Sequence, residues 1–153
     1  MKQHRARRLA SIAAVGIGVL VPLGSALADG RDGRDCNNRM LRGTYGIQMQ
    51  GTRPAPPNGP METLIGVVVR NYDGRGGVTQ IDNIKGSISG FVPDRFGSGT
   101  YQVRDDCSVI VIFQPAPGVV IEERLVIVDG GAELRSITIT PATLMVTSTS
   151  IKM

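Results

Sequence analysis

Beyond residue 40, apolar and polar positions alternate with a period of two along most of the chain. In Leu41–Gln50, Tyr45, Ile47 and Met49 share one face while Thr44, Gln48 and Gln50 occupy the other, the pattern of a strand half buried in a sheet. The same reading gives strands over Leu64–Asn71, over Val78–Ile84 and on through Ser87–Phe91 after a bend or bulge at Gly86, and over Gly99–Arg104. Four more follow over Cys107–Gln114, Val119–Val128, Glu133–Thr140 and Leu144–Ser150. The separators are turn-forming: the proline-rich "GTRPAPPNGP", the "YDGRGG" hairpin turn, the loop "VPDRFGS", Pro115–Gly118 and Asp129–Gly131. No segment after the N-terminus carries a helical period, and such short turns join antiparallel neighbours. The fold class is therefore all-β, a single small antiparallel up-and-down β-barrel of about eight strands. A barrel hides both sheet edges, and the succession of hairpins without a long crossover favours it over the competing two-sheet sandwich.

The N-terminus reads differently. Lys2, His4, Arg5, Arg7 and Arg8 form a basic region, Leu9–Leu23 is almost uninterruptedly apolar, and Ala26-Leu27-Ala28 places small residues before Asp29. This is the pattern of a secretory signal peptide cleaved between Ala28 and Asp29. The expected organisation is a signal over residues 1–28, a leader over 29–40 and the barrel domain over 41–153, with a secreted or periplasmic location and no membrane insertion of the mature chain.

Removal of the signal changes the chemistry. Lys2, Arg5, Arg7 and Arg8 account for four of the 17 basic residues, so 13 remain against 13 acidic ones. The excess of +4 vanishes, and with only three tyrosines and three phenylalanines for base stacking, nothing points to nucleic acid. The sole histidine, His4, leaves too. That excludes Ser-His-Asp, Cys-His and histidine-built metal or haem sites in the mature chain, and no cofactor is implied. The acidic residues lack the spacing of a calcium loop, so no metal site is expected. Cys36 and Cys107 are the only cysteines; in an exported chain they are expected to form a disulfide that ties the leader to the barrel. Two free thiols in redox or metal chemistry are the alternative.

Candidate site residues come from strand parity. Tyr45 and Tyr101 both stand in Gly-Thr-Tyr and share faces with Ile47, Met49 and Val103. They either pack near a barrel end or line a pocket with their hydroxyls. Glu123 alternates onto one face with Val119, Ile121, Leu125 and Ile127, and Arg135 shares a face with Ile137 and Ile139. If both point inward they need each other or a ligand, because an unpaired buried charge is costly. Tyr45, Tyr101, Phe113, Glu123 and Arg135 thus form a candidate set for a small apolar or amphipathic molecule held in the barrel. A second reading is a structural or protein-interaction module without a cavity, self-associating or meeting a protein partner by an outer face such as that of Val120 and Val126. A third is a cyclase or isomerase that moves protons with Glu123 in place of histidine.

The segments "CNNRMLRGTYGIQMQG", "GVVVRNYDGRGGVT", "GTYQVRDDCSVIVIF" and "LVIVDGGAELRSITITPATLM" resemble, in that order, a group of small secreted bacterial proteins of unassigned function. That group carries Leu-x-Gly-Thr-Tyr-Gly, Gly-Thr-Tyr-x-Val-x-x-Asp-Cys and Val-Asp-Gly-Gly-x-Glu-Leu-Arg segments. The chain departs from it at Tyr72, where a Phe is usual, at Ser108, where a Thr is usual, and after Pro141. The resemblance implies a small barrel similar to the lipocalin-like and allene-oxide-cyclase-like kinds and brings no catalytic residues with it.

Overall fold

A computed structural model describes residues 35–56 and 59–153. The signal segment, its Ala28/Asp29 junction and the first part of the leader lie outside the described residues. Eight strands follow one another: β1 (Gly43–Pro54), β2 (Met61–Tyr72), β3 (Gly77–Gly86), β4 (Gly90–Val103), β5 (Ser108–Ala116), β6 (Val119–Val128), β7 (Glu133–Thr140) and β8 (Met145–Lys152). Each pairs antiparallel with the next, and β1 pairs with β8 from Tyr45↔Lys152 to Thr52↔Met145. The sheet is a closed up-and-down barrel, so among the described residues no edge strand is left to pair with another chain.

Alternation decides the interior. On β2, Glu62, Leu64, Val68, Arg70 and Tyr72 point inward while Ile65, Val67 and Val69 point outward. At the lower end, where β1 begins, Leu41, Tyr45, Tyr72, Tyr101, Val109, Val111, Leu125 and Leu134 form the larger apolar cluster. Tyr72 stands edge-on to both Tyr45 and Tyr101, with centroids 5.4 and 4.9 Å apart, contacts that add about 0.5–1.5 kcal/mol each beyond the area they bury. Leu64, Ile84 and Val146 form a smaller cluster toward the upper end. Phe113 reaches across the interior because Gly97 has no side chain: a Cβ there would collide with the Phe113 ring.

The lower end is plugged. A 3-10 turn over Asn38–Leu41, capped by the Asn37 side chain on the Arg39 N–H, places buried Leu41 under the tyrosines. The disulfide Cys36–Cys107 fastens this plug across 71 positions, a closure that contributes roughly 2–4 kcal/mol by restricting the unfolded chain. In the β2–β3 turn, Asp73 Oδ1 accepts the N–H groups of Arg75, Gly76 and Gly77 at 2.6, 2.9 and 2.9 Å. Those donors hold its carboxyl below the usual carboxylate range.

Several strand boundaries differ from the alternation reading. The expected bend at Gly86 is a full hairpin turn, and Gly90–Val103 is one strand that runs through "VPDRFGS". The turn closes because Gly90 takes φ 75°, a conformation open to glycine at no steric cost. Glu62, buried on the neighbouring strand, accepts the N–H groups of Ile88 and Ser89 at 3.0 and 2.9 Å. Pro93 and Asp94 fall where the β3–β4 ladder shifts register between Asp82 and Ile84, and a bulge accommodates a residue without a ladder donor. The proline-rich loop is also shorter than it reads, because Thr52↔Thr63 and Pro54↔Met61 continue the β1–β2 ladder.

Candidate functional site

The interior holds a chain of charges between its two apolar clusters. Along β3, Val78 belongs to the lower cluster and Ile84 to the upper one, and Gln80 and Asp82 lie between them on the same face. Arg70, opposite Gln80 in the β2–β3 register, donates from Nε to Gln80 Oε1 at 2.7 Å. It also grips Glu123 from across the barrel, through Nη1 at 2.7 Å and Nη2 at 3.2 Å. Gln80 donates to Asp82 Oδ2 at 3.1 Å, and Arg95 closes the chain with two bonds to Asp82 at 2.9 and 3.1 Å. Two cations and two anions alternate with an amide between them, so the cluster is neutral and its charges are paired. Burial is the largest single influence on the Arg70 pKa and lowers it, but the charge and hydrogen bonds of Glu123, acting together with Tyr72, outweigh it, so the pKa is raised and the guanidinium stays charged. The Phe113 ring lies 5.8 Å from the guanidinium carbon, within cation–π range.

These groups border a cavity of about 40 Å³, whose other walls include Ile121, Ser136, Thr138 and Ser148. That is room for a few water molecules, against the ~300–1,000 Å³ of a drug-sized ligand pocket.

The sequence candidates divide accordingly. Phe113 and Glu123 line the cavity. Tyr45 and Tyr101 sit in the floor, where their hydroxyls donate to backbone carbonyls of Gly131 at 2.6 Å and Asn38 at 2.9 Å. Burial pushes the Tyr45 hydroxyl up to about 12 and raises Tyr101 as well. Each Gly-Thr-Tyr therefore places a tyrosine that pins a short 3-10 turn to the lower end. The inward pairing of Glu123 with Arg135 does not form: Val126, not Glu123, is the register partner of Arg135. Arg135 points to solvent and pairs with Glu133 at 2.7 Å, because it shares parity with Ile137 and Ile139 on the outer face. The partner that Glu123 needs is Arg70. Arg70, Gln80 and Asp82 were legible in principle, since they share parity with the apolar Val68, Tyr72, Val78 and Ile84 on the same strands.

Outside, the walls differ. The face bearing Val120 and Val126 is broken by Glu122 and Arg124, paired at 2.7 Å. On the other side an apolar row runs across five adjacent strands, Ile151↔Gly46↔Val69↔Ile81↔Phe96, with Ile65 and Val67 beside it on β2.

Fold and interior together define the class: a small closed eight-stranded antiparallel β-barrel, disulfide-bonded and broadly consistent with lipocalin-like and allene-oxide-cyclase-like barrels. The chain matches no family model, and neither a curated protein nor a solved structure is significantly similar to it.

Proposed function

We propose that this barrel works by its outer surface, as an exported structural or protein-interaction module, rather than as a carrier of a molecule in its interior. The observation that carries this reading is the filled interior. The tyrosine floor, Phe113 and the Arg70 network leave only about 40 Å³. Among the described residues, the one buried side-chain polar atom without a partner is Arg124 Nη1, and Arg124 belongs to an outward-facing position. An apolar guest would have to displace paired charges and strand them in a low-dielectric space, which is unfavourable. The basic and apolar N-terminal segments before Asp29 support export, and the ordered Gly-Thr-Tyr and Asp-Gly-Gly segments support kinship with the secreted bacterial group. The cyclase or isomerase reading fares less well, because both Glu123 oxygens already accept from Arg70.

Titration of the oxidised chain with a fluorescent fatty acid tests the choice. No saturable one-to-one binding is expected. Stoichiometric binding that disappears when Ile121→Trp fills the remaining space would reinstate the carrier.

A further inference from the structure

An aspartate followed by glycine can rearrange, because glycine has no side chain to hinder attack by its own nitrogen on the aspartate carboxyl. Two such steps fall among the described residues, Asp73–Gly74 and Asp129–Gly130, and the fold treats them oppositely. At the first, Asp73 Oδ1 accepts three N–H groups of its own turn. Those donors, the Arg75 N–H foremost, favour the ionised carboxylate, which resists attack by a nucleophile. Gly74 is buried beneath the Arg42 side chain, so both reacting groups are held in place.

Asp129 and Gly130 lie in the 3-10 turn between β6 and β7, and both are exposed. No hydrogen bond or ion pair among the described residues engages the Asp129 carboxylate; Arg135, on the same hairpin, pairs with Glu133 instead. The Gly130 N–H has no acceptor among the described residues either, since the turn closes from the Ala132 N–H to the Asp129 carbonyl at 3.1 Å. Asp129 also stands at φ 48°, in the left-handed region that few residues with a Cβ occupy.

We propose that Asp129–Gly130 is a site of self-modification, at which the turn converts to isoaspartate with water as the only co-reactant. The Gly130 nitrogen forms a bond to Asp129 Cγ and gives up its proton, and the carboxyl hydroxyl leaves as water, closing a succinimide ring. Water then adds to one ring carbonyl. Breaking the bond from nitrogen to Cγ restores aspartate. Breaking the bond from nitrogen to the main-chain carbonyl carbon routes the backbone through the side chain, longer by a methylene at unchanged mass. That methylene enters among contacts that tie down the lower end. The Gly131 carbonyl accepts the Tyr45 hydroxyl at 2.6 Å, the Ala132 carbonyl accepts the Lys152 N–H at 2.9 Å, and Gly131 lies against the Met40 carbonyl of the plug. Isomerisation therefore loosens the turn that holds Tyr45 and the plug, whatever the outer surface does.

Ageing of the oxidised, folded chain near neutral pH and below its melting temperature tests this. Trypsin separates the two steps into the peptides Asn71–Arg75 and Leu125–Arg135. Isoaspartate is read in each by a chromatographic shift at unchanged mass and by labelling with an isoaspartyl methyltransferase. It should accumulate in Leu125–Arg135 more than about tenfold faster than in Asn71–Arg75, whose turn must first give up its hydrogen bonds. In urea both peptides should react at similar rates. Asp129→Asn, a residue also tolerated at positive φ, should pass through the same ring with release of ammonia and a gain in mass. The isomerised fraction, once separated, should melt below the fresh chain. Absence of isoaspartate at Asp129 in the folded chain overturns the proposal, as does equal accumulation in the two peptides. So does an Asn71–Arg75 peptide that stays unreactive in urea, because the fold is then not what protects it. An isomerised fraction that melts like the fresh chain overturns the loosening of the lower end.

Discussion

Replacing Arg70 by Met should cost about 3–5 kcal/mol of unfolding free energy, the loss expected when one partner of a buried ion pair is removed. The side chain is 5% exposed and holds Glu123, Gln80 and Tyr72 together. Without it, Glu123 remains across the barrel with no cation, and Gln80 loses its acceptor's partner. Adding Glu123→Leu to Arg70→Met should recover a large part of the loss, because the orphaned charge goes with it. Urea unfolding of the two single variants and the double variant measures this. If the single substitution is neutral, or the double is as unstable as the sum of the singles, the network does not organise the interior.

Acid should weaken the fold through Glu62, the second large effect. The Ser89 N–H is the main influence that lowers its carboxyl to about 2; burial opposes it, and Arg53, the Ile88 N–H and the Ser89 hydroxyl assist. The folded pKa lies below the ordinary value of 4.5, so the unfolded state binds a proton more readily. The stabilisation is fully present above the ordinary value and is lost as pH falls from there toward about 2. Urea midpoints across this window should drop steeply in the wild type and more shallowly in Glu62→Gln. That variant keeps the share owed to Asp73 and Asp106, whose carboxyls are also lowered, by the Arg75 N–H and the Ser108 hydroxyl respectively. Equal slopes in the two proteins would show that the hairpin turn does not depend on the ionised carboxylate. The consequence is structural, since Glu62 holds the β3–β4 turn over the upper rim.

Much of this architecture is legible in the alternation of side chains. Period two requires no knowledge of partners, so strand number, inward faces such as Tyr45/Ile47/Met49, and closure by successive hairpins all follow from it. The β4 strand does not, because Pro93 and Asp94 look like a loop until the bulge that houses them is known. The site is harder still. Glu123 shares a face with apolar neighbours, but its partner stands 53 positions earlier on the opposite wall. Cross-barrel contacts depend on register and closure, neither of which one strand's pattern contains. Arg135 is the converse: its parity with Ile137 and Ile139 was plain, but apolar residues line both sides of this barrel, so parity alone did not tell inside from outside. The outer row was invisible for the same reason, since Ile151, Gly46, Val69, Ile81 and Phe96 meet only once five strands are in register.

Native mass spectrometry of the oxidised protein, purified gently from its own producer and weighed again after denaturation, tests the filled interior most directly. The expected result is the bare mass of the chain, lighter by the two hydrogens of the Cys36–Cys107 bond, with no small molecule released on unfolding. A stoichiometric small molecule that leaves only when the barrel unfolds would contradict the account and make the interior the seat of function.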